Sequence, residues 1–438
     1  MTYKSKNVST QDSKLLIIAY PFPPIPYSGS YRLLRICKGL VTLGVRVHVL
    51  SINIDNRIPN DFDLVSQVPP STIIHRTAII DPWMRYQSWR NRHKNMQGFR
   101  YINKMISLLL RLITIPDHQI LWVPFAVWKG LKIIKHQAVN TVFTSSPPIS
   151  THLAGYWLKK IANTKWIADL RDPMVGNVFA AHSGLLSRIE GRVNFSSEKL
   201  IIENADKVIT TSETHRRELS EKYGLDKFVA VRNSFDMADY SNLKEGKYDK
   251  FTISHLGSMY GLRKADDLFK AIKIVEKEIA PESLNLQVNF VGLNDNQLEE
   301  SISKFDVENY VKTNGLVSHK EAIEIMVRSH LLLLVKATGE GSYGQIPAKF
   351  FEYLGTRNKI LCLGPKNSEV AKIINDLQAG YVIENNETQL ASVLRKVYGD
   401  YISGTAEEIS HPDLSQYNLE YMGKRVSEVI ADCHGVED

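Results

Sequence analysis

The sequence predicts an α/β protein made of two doubly wound, Rossmann-like domains that face each other across a cleft. Three observations lead there. Short apolar or β-branched runs alternate with helical stretches along the chain. Several runs, such as Leu15–Ala19 and Leu331–Val335, are apolar throughout, as parallel strands covered on both faces require. The alternation also restarts after a polar, turn-prone segment at 237–250, which reads as a linker.

Taken in order, the first domain is expected at 1–240. Its strands are placed at Leu15–Ala19, Val45–Leu50, Thr141–Thr144, Trp166–Asp169 and Val208–Thr211, with helices at Arg32–Leu43 and Ile149–Ala162. A basic amphipathic insertion lies near 85–115. The second domain is expected at 241–410. Its strands are placed at Thr252–Leu256, Leu286–Val291, Leu331–Val335 and Lys359–Leu363, with helices at Lys264–Ile279 and Lys320–Ser329. A last helix, Leu414–Cys433, falls in 411–438. Such sheets bind ligands beyond the carboxyl ends of their strands.

A length of 438 residues suits two such domains. Hydrophobic content of 43% and charged content of 23% are those of a globular protein. Cys37, Cys362 and Cys433 are far apart and odd in number, so neither a disulfide framework nor a metal-ligand spacing is expected. A reducing cytoplasm is the expected compartment. No secretory signal is read in the polar residues 1–13, and no run of about 18 apolar residues suggests a spanning helix. Net charge is +7, from 54 Lys and Arg against 47 Asp and Glu, an excess that suits an anionic ligand or membrane surface and argues little for nucleic acid.

The most informative segment runs from Gln345 to Gly355 and leads into the apolar run Lys359–Leu363. It reads as a loop, a helix opened by Pro347 and stopped by Gly355, then a buried strand. The amides of the first turn, with the helix dipole, make an anion site. Glu352, about one and a half turns in, addresses a sugar hydroxyl near that anion. A phosphate on amides and a ribose on a carboxylate are what a nucleotide sugar needs. Two glycine loops follow strands, at Ser28-Gly29-Ser30 and at His255-Leu256-Gly257-Ser258. The first is stiffened by prolines, and it is also readable as an ordinary strand-to-helix connection. Asp169-Leu170-Arg171-Asp172-Pro173 ends another strand. Its carboxylates either order an acceptor hydroxyl or form a structural ion pair. His152, early in its helix, reads as a structural histidine or as a group near the sugar.

Ile346 through Leu354 resembles the donor-site helix of retaining GT-B glycosyltransferases, family four in the usual classification, of the bacterial surface-polysaccharide type. The loop at Gly29, the run Asp169–Pro173, Asn233-Ser234-Phe235-Asp236 and the loop His255–Gly261 occur in matching order. The resemblance implies the GT-B fold, with the last helix crossing back to the first domain. It implies a sugar moved, with retention, from a nucleotide diphosphate sugar to a glycan or lipid-linked acceptor. Donor-binding residues would be Gly29, Gly257, Ser258, Lys336, Gly344, Gln345, Ile346, Pro347, Lys349 and Glu352. Catalytic residues would be His152, Asp169, Asp172, Arg263 and Lys264. No metal ligands and no cofactor are expected beyond the co-substrate, because Arg263, Lys264 or Lys336 supplies positive charge to the departing diphosphate. Two departures stand out. The family's arginine after the glycine is Ser258 here, and the first of its two glutamates, eight before Glu352, is Gly344. A sugar-nucleotide epimerase and a non-catalytic protein of the same architecture are the competing readings.

Residues 85–115 carry Arg85, Arg90, Arg92, Lys94, Arg100, Lys104 and Arg111 with no acidic residue, interleaved with aromatic and aliphatic side chains. Such a pattern fits peripheral contact with an anionic membrane, at the inner face of the cell membrane, or a packed insertion with a solvated basic face.

Overall fold

The computed structural model describes residues 13–55, 60–93, 99–175, 185–241, 243–244, 246–279, 284–337, 339–405 and 413–435. The chain forms two compact units. One comprises Met1–Thr211, His215–Arg232 and Leu419–Asp438, the other Ser212–Thr214 and Asn233–Asn418.

The first unit runs β1 (Lys14–Ile18), α1 (Ser28–Thr42), β2 (Arg46–Ile52), α2 (Asp63–Ser66), β3 (Ile73–Thr77), α3 (Pro82–His93), α4 (Phe99–Ile113), α5 (Val123–Gln137), β4 (Thr141–Ser146), α6 (Ser150–Ala162), β5 (Lys165–Leu170), α7 (Leu185–Asn204), β6 (Lys207–Thr210), α8 (Glu213–Tyr223) and β7 (Phe228–Ala230). Its strands form one parallel sheet in the order β3-β2-β1-β4-β5-β6-β7. Alternate residues of β1 enter different cores: Leu16 and Ile18 join Trp122, Leu158 and Trp166 on one face, while Leu15 and Ile17 join Leu33, Leu40 and Val426 on the other. That two-sided burial is why β1 is a continuous apolar run.

The second unit runs β8 (Phe251–Leu256), α9 (Asp266–Glu278), β9 (Leu286–Val291), α10 (Asn296–Lys304), β10 (Val311–Asn314), α11 (His319–Arg328), β11 (Leu331–Val335), α12 (Ala348–Thr356), β12 (Lys359–Leu363), α13 (Glu369–Asp376), β13 (Gly380–Ile383) and α14 (Glu387–Ile402). Its parallel sheet has the order β10-β9-β8-β11-β12-β13. Leu331 and Leu333 pack into the core beneath α9 and α14, and Leu332 and Leu334 into the core beneath α11 and α12. In each sheet the strand order reverses beside the first strand, between β1 and β4 and between β8 and β11. That is the switch point where open α/β sheets bind ligands.

Several boundaries differ from expectation for identifiable reasons. The chain passes into the second unit at Asn233 rather than at 241. Phe235 already lies in that unit's core, and the Tyr240 hydroxyl donates to the Glu352 carbonyl oxygen at 2.7 Å. α1 begins at Ser28, because Tyr27 is extended and its carbonyl accepts from the Ser30 amide at 2.8 Å. Pro347 is the extended residue preceding α12, not its first helical residue. Gly355 does not stop that helix. Arg357, left-handed at φ 61°, ends it, and Gly355 instead leaves room for the Tyr240 ring. The last helix, α15 (Leu419–Cys433), starts five residues later than expected and packs in the first unit, on α1.

Candidate functional site

In the second unit, the ends of β8 and β11 and the start of α12 come together at the switch point. Tyr353 locks them. Its hydroxyl accepts from the Leu256 amide at 2.9 Å and donates to the Leu333 carbonyl at 3.2 Å, so β8, β11 and α12 meet on one buried oxygen. One helical turn earlier, Lys349 directs its ammonium into the loop at Gly257. That glycine has φ +124°, and a side chain there would collide with the Lys349 amine. The backbone angle calls for glycine at 257, and a side chain would also displace the lysine.

His255 lies beneath the loop, fully buried. Its Nδ1 is 3.0 Å from the Leu333 carbonyl and its Nε2 is 3.3 Å from Lys349 Nζ. The carbonyl can only accept, so Nδ1 carries the proton and Nε2 accepts from lysine. Burial and the neighbouring Lys349 push the His255 pKa well below its ordinary value, so the ring is neutral. Burial, with Arg263 nearby, lowers Lys349 to about 7. An anion arriving there would restore the full charge.

Arg263 is tied to Ser258 and Tyr260. The Arg263 guanidinium stacks over the Tyr260 ring at 5.3 Å and its Nη1 donates to the Ser258 carbonyl at 3.0 Å. Arg263 thereby lies at the loop that carries Ser258, five residues on. Among the three cations the sequence left unranked, Arg263 is the one at the Gly257 loop. Lys336 is buried at the end of β11. Its Nζ donates to the Gln345 carbonyl at 2.6 Å and ties that strand to the loop before α12, with burial lowering its pKa to about 8. Lys264 is exposed and shares with Lys336 a recess of about 350 Å³ beyond β12 and β13, lined also by Asp266, Gly364 and Asn385.

Glu352 stands one turn beyond Lys349 and is mostly shielded. Its Oε1 is 3.4 Å from Nε2 of His319, the first residue of α11. His319 was not anticipated. It is distant in sequence and carries no local motif. In the preceding loop the Gln345 amide is engaged by the Ser342 carbonyl at 3.2 Å, and Ile346 is buried in the core. Gly344, at the position of the family's first acid, lies against Thr214, with 3.1 Å from a Cβ built there to the threonine side chain. The side chain of Glu340 lies outside the described residues.

In the first unit, Gly29 falls in the first turn of α1 with the Arg171 guanidinium pressed against it, so a side chain there would have to displace the arginine. Asp169 is fully buried. It forms a two-pronged ion pair with Arg32 (Oδ2–Nε 2.9 Å, Oδ1–Nη2 2.7 Å) and accepts from Ser145 Oγ at 2.7 Å. Of its two readings, the structural ion pair is what these contacts describe. It fastens α1, and so the Gly29 turn, to β4 and β5. Asp172 is half-exposed, 3.7 Å from Arg171 Nε. His152 is fully buried in the first turn of α6, with Nδ1 2.7 Å from Thr144 Oγ1. The Trp166 indole donates to the same hydroxyl at 2.8 Å, and the hydroxyl in turn reaches the Ile167 carbonyl at 3.4 Å. Nε2 of the ring has no partner among the described residues. Burial lowers the His152 pKa to about 3.

The stretch 85–115 forms α3 and α4. Lys94 and the side chain of Arg100 lie outside the described residues. Arg111 is paired with Glu190 of α7. One side of α4 is apolar and faces solvent at Tyr101, Met105, Leu109 and Leu112, while Leu110 is buried. No described helix is long and apolar enough to cross a membrane.

No family model matches this sequence, and no curated protein matches it. Solved structures do. Sucrose-phosphate synthase of Thermosynechococcus elongatus is similar with a TM-score of 0.62 at 11% identity, over 97% of this chain and 100% of that one. HepE of Anabaena, solved in complex with UDP and glucose, gives 0.63 at 12% identity, over 96% and 100%. WaaG, a glycosyltransferase involved in lipopolysaccharide biosynthesis, gives 0.56 at 15% identity, over 97% and 99%. Likeness of this kind establishes the fold: the chain has the GT-B architecture of two parallel-sheet, Rossmann-like units.

Proposed function

We propose that this protein is a glycosyltransferase that moves a hexosyl or N-acetylhexosaminyl group from a nucleotide diphosphate sugar to a glycan or lipid-linked acceptor in surface polysaccharide assembly. The observation that carries the reading is the convergence of Lys349, Arg263, the Gly257 turn and the first turn of α12 at the switch point of the second sheet. Two cations and a helix N-terminus meet there, with a carboxylate one turn beyond. That is the charge pattern of a diphosphate bearing a ribose. HepE, of the same fold, was solved with UDP.

In this reading the diphosphate lies against Lys349, Arg263 and the amides opening α12. Glu352, positioned by His319, accepts hydrogen bonds from the ribose. As the bond from the anomeric carbon to the diphosphate oxygen breaks, negative charge grows on the leaving group, and the two cations stabilise it in place. Transfer proceeds without a metal because fixed cations do this work, and with retention, as in the family the motifs resemble. The acceptor is handled by the first unit, near Gly29, His152 and Asp172. Here Asp169 acts through Arg32 by holding the Gly29 turn. The enzyme works in the cytoplasm and touches an anionic membrane through residues 85–115. A thermal-shift panel of nucleoside diphosphates, UDP first, tests the donor site. At 100 times its dissociation constant a ligand adds about 2.7 kcal/mol of stability. A panel in which no nucleoside diphosphate raises the melting temperature defeats the proposal.

A further inference from the structure

Two tryptophans are left facing water on the first unit. Trp128 of α5 is 58% exposed and Trp157 of α6 is 50% exposed, with Ile161, one turn beyond Trp157, at 58%. Trp122 and Trp166, on the same side of the sheet, are fully buried in the core beneath these helices. α5 and α6 cross where Gly130 meets Leu158, at a spacing that leaves a built Cβ 2.9 Å from the leucine side chain. Trp128 is two residues before that glycine and Trp157 one before that leucine, so the indoles flank the crossing on its outer side. An indole half in water has an unused apolar face and a polar N–H, the combination that settles at a membrane interface.

Charge selects the occupant. From Pro82 to Ala162 the sequence holds twelve Lys and Arg and a single acid, Asp117. Asp117 is turned inward, accepting from the amide of Ser150 at 2.9 Å and from its hydroxyl. α5 and α6 have no acidic residue. They carry Lys129, Lys132 and Lys135, and Lys160 beside Ile161. Lys132 Nζ sits 3.8 Å from the centre of the Trp128 ring. A second copy docking on this face by two-fold symmetry would oppose lysine with lysine. An anionic bilayer opposes them with phosphate, and accepts the indoles at the level of its headgroups.

We infer that the outer face of α5 and α6 is a membrane anchor, in which Trp128 and Trp157 enter the headgroup region of an anionic bilayer and Lys129, Lys132, Lys135 and Lys160 pair with its phosphates. The partner class is that already proposed for residues 85–115, but the surface is a different one. Its failure leaves both that contact and the donor site standing.

Vesicles of equal parts phosphatidylglycerol and phosphatidylcholine with brominated acyl chains test it by tryptophan quenching. Wild type should lose part of its emission on these vesicles and keep it on phosphatidylcholine alone. Most of the quenched part should be lost in the double variant Trp128→Phe/Trp157→Phe, which removes only exposed indoles, any remainder coming from Trp89 of α3. Trp128→Ala and Trp157→Ala should each weaken vesicle binding about ten-fold, since roughly half an indole's area leaves water. Replacing Lys129, Lys132, Lys135 and Lys160 with glutamine should cost about five-fold each at physiological salt. Quenching that persists unchanged in the double phenylalanine variant would place the bilayer contact at α3 and α4 alone and overturn this inference. So would a lipid-free dimer whose Trp128 and Trp157 emission shifts with protein concentration.

Discussion

Replacing Lys349 with methionine should make the protein more stable and its donor binding worse. The ammonium is enclosed by the Gly257 loop and the neutral His255 ring, and its pKa falls from 10.5 to about 7. An unfolded lysine titrates near 10.4, so at pH 7 this position costs the fold on the order of 4 kcal/mol relative to a lysine in water. Methionine matches the stem and carries no charge, so about 1–3 kcal/mol of that cost should be recovered. The sign in pH follows. Between pH 7 and about 10 the unfolded chain binds more protons at this site than the folded one. Wild-type stability therefore gains with rising pH across that window, and the variant lacks this gain. Binding moves the other way. A charge-assisted hydrogen bond to phosphate contributes roughly 1.5–3 kcal/mol, so UDP affinity should fall about ten- to hundred-fold. Wild-type affinity should also decline as pH rises above 7, and the variant's should not. Denaturant melts and calorimetric titration with UDP measure both halves. A variant less stable than wild type, with UDP affinity intact, would show that Lys349 is a structural hydrogen-bond donor and refute the reasoning.

Glu352→Gln should weaken UDP binding about ten-fold or more, because an amide replaces the carboxylate offered to the ribose; equal affinity in a folded variant removes Glu352 from the site. Stability should drop as pH falls from about 6.5 to 4. Burial lowers His152 to about 3 and His215 and His330 to about 4, so the unfolded chain takes up protons in that range before the folded one does. An acid melt with no loss above pH 4 counts against these neutral rings. Sugar transfer should survive EDTA, and full dependence on added Mg²⁺ or Mn²⁺ would show that Lys349 and Arg263 do not suffice for the leaving group.

The nine strands named from sequence are the interior strands of the two sheets, and the four it omits, β3, β7, β10 and β13, are their edges. The cause is physical. An interior strand is covered on both faces and reads as an apolar run, as Leu331–Val335 does. An edge strand such as β10, Val311–Asn314, has three exposed residues of four and no such signal. The site divides in a similar way. Gly257, Lys349 and Glu352 lie in two short motifs and were legible locally. His319 meets Glu352 across 33 residues and Arg32 meets Asp169 across 137, pairings that only the fold creates. Asp169 was identified as important from its place at a strand end, but its partner decides the role. Arg263 reaches the Ser258 carbonyl through a backbone turn that the spacing alone does not announce.

Nucleoside diphosphate release from a panel of nucleotide sugars, followed with and without an extract of lipid-linked glycans, tests the central claim most directly. One donor should release its diphosphate slowly alone and much faster with the extract, with the sugar recovered on the acceptor in its original anomeric configuration. Conversion of the nucleotide sugar to an epimer without acceptor, or no turnover of any donor under either condition, would contradict it.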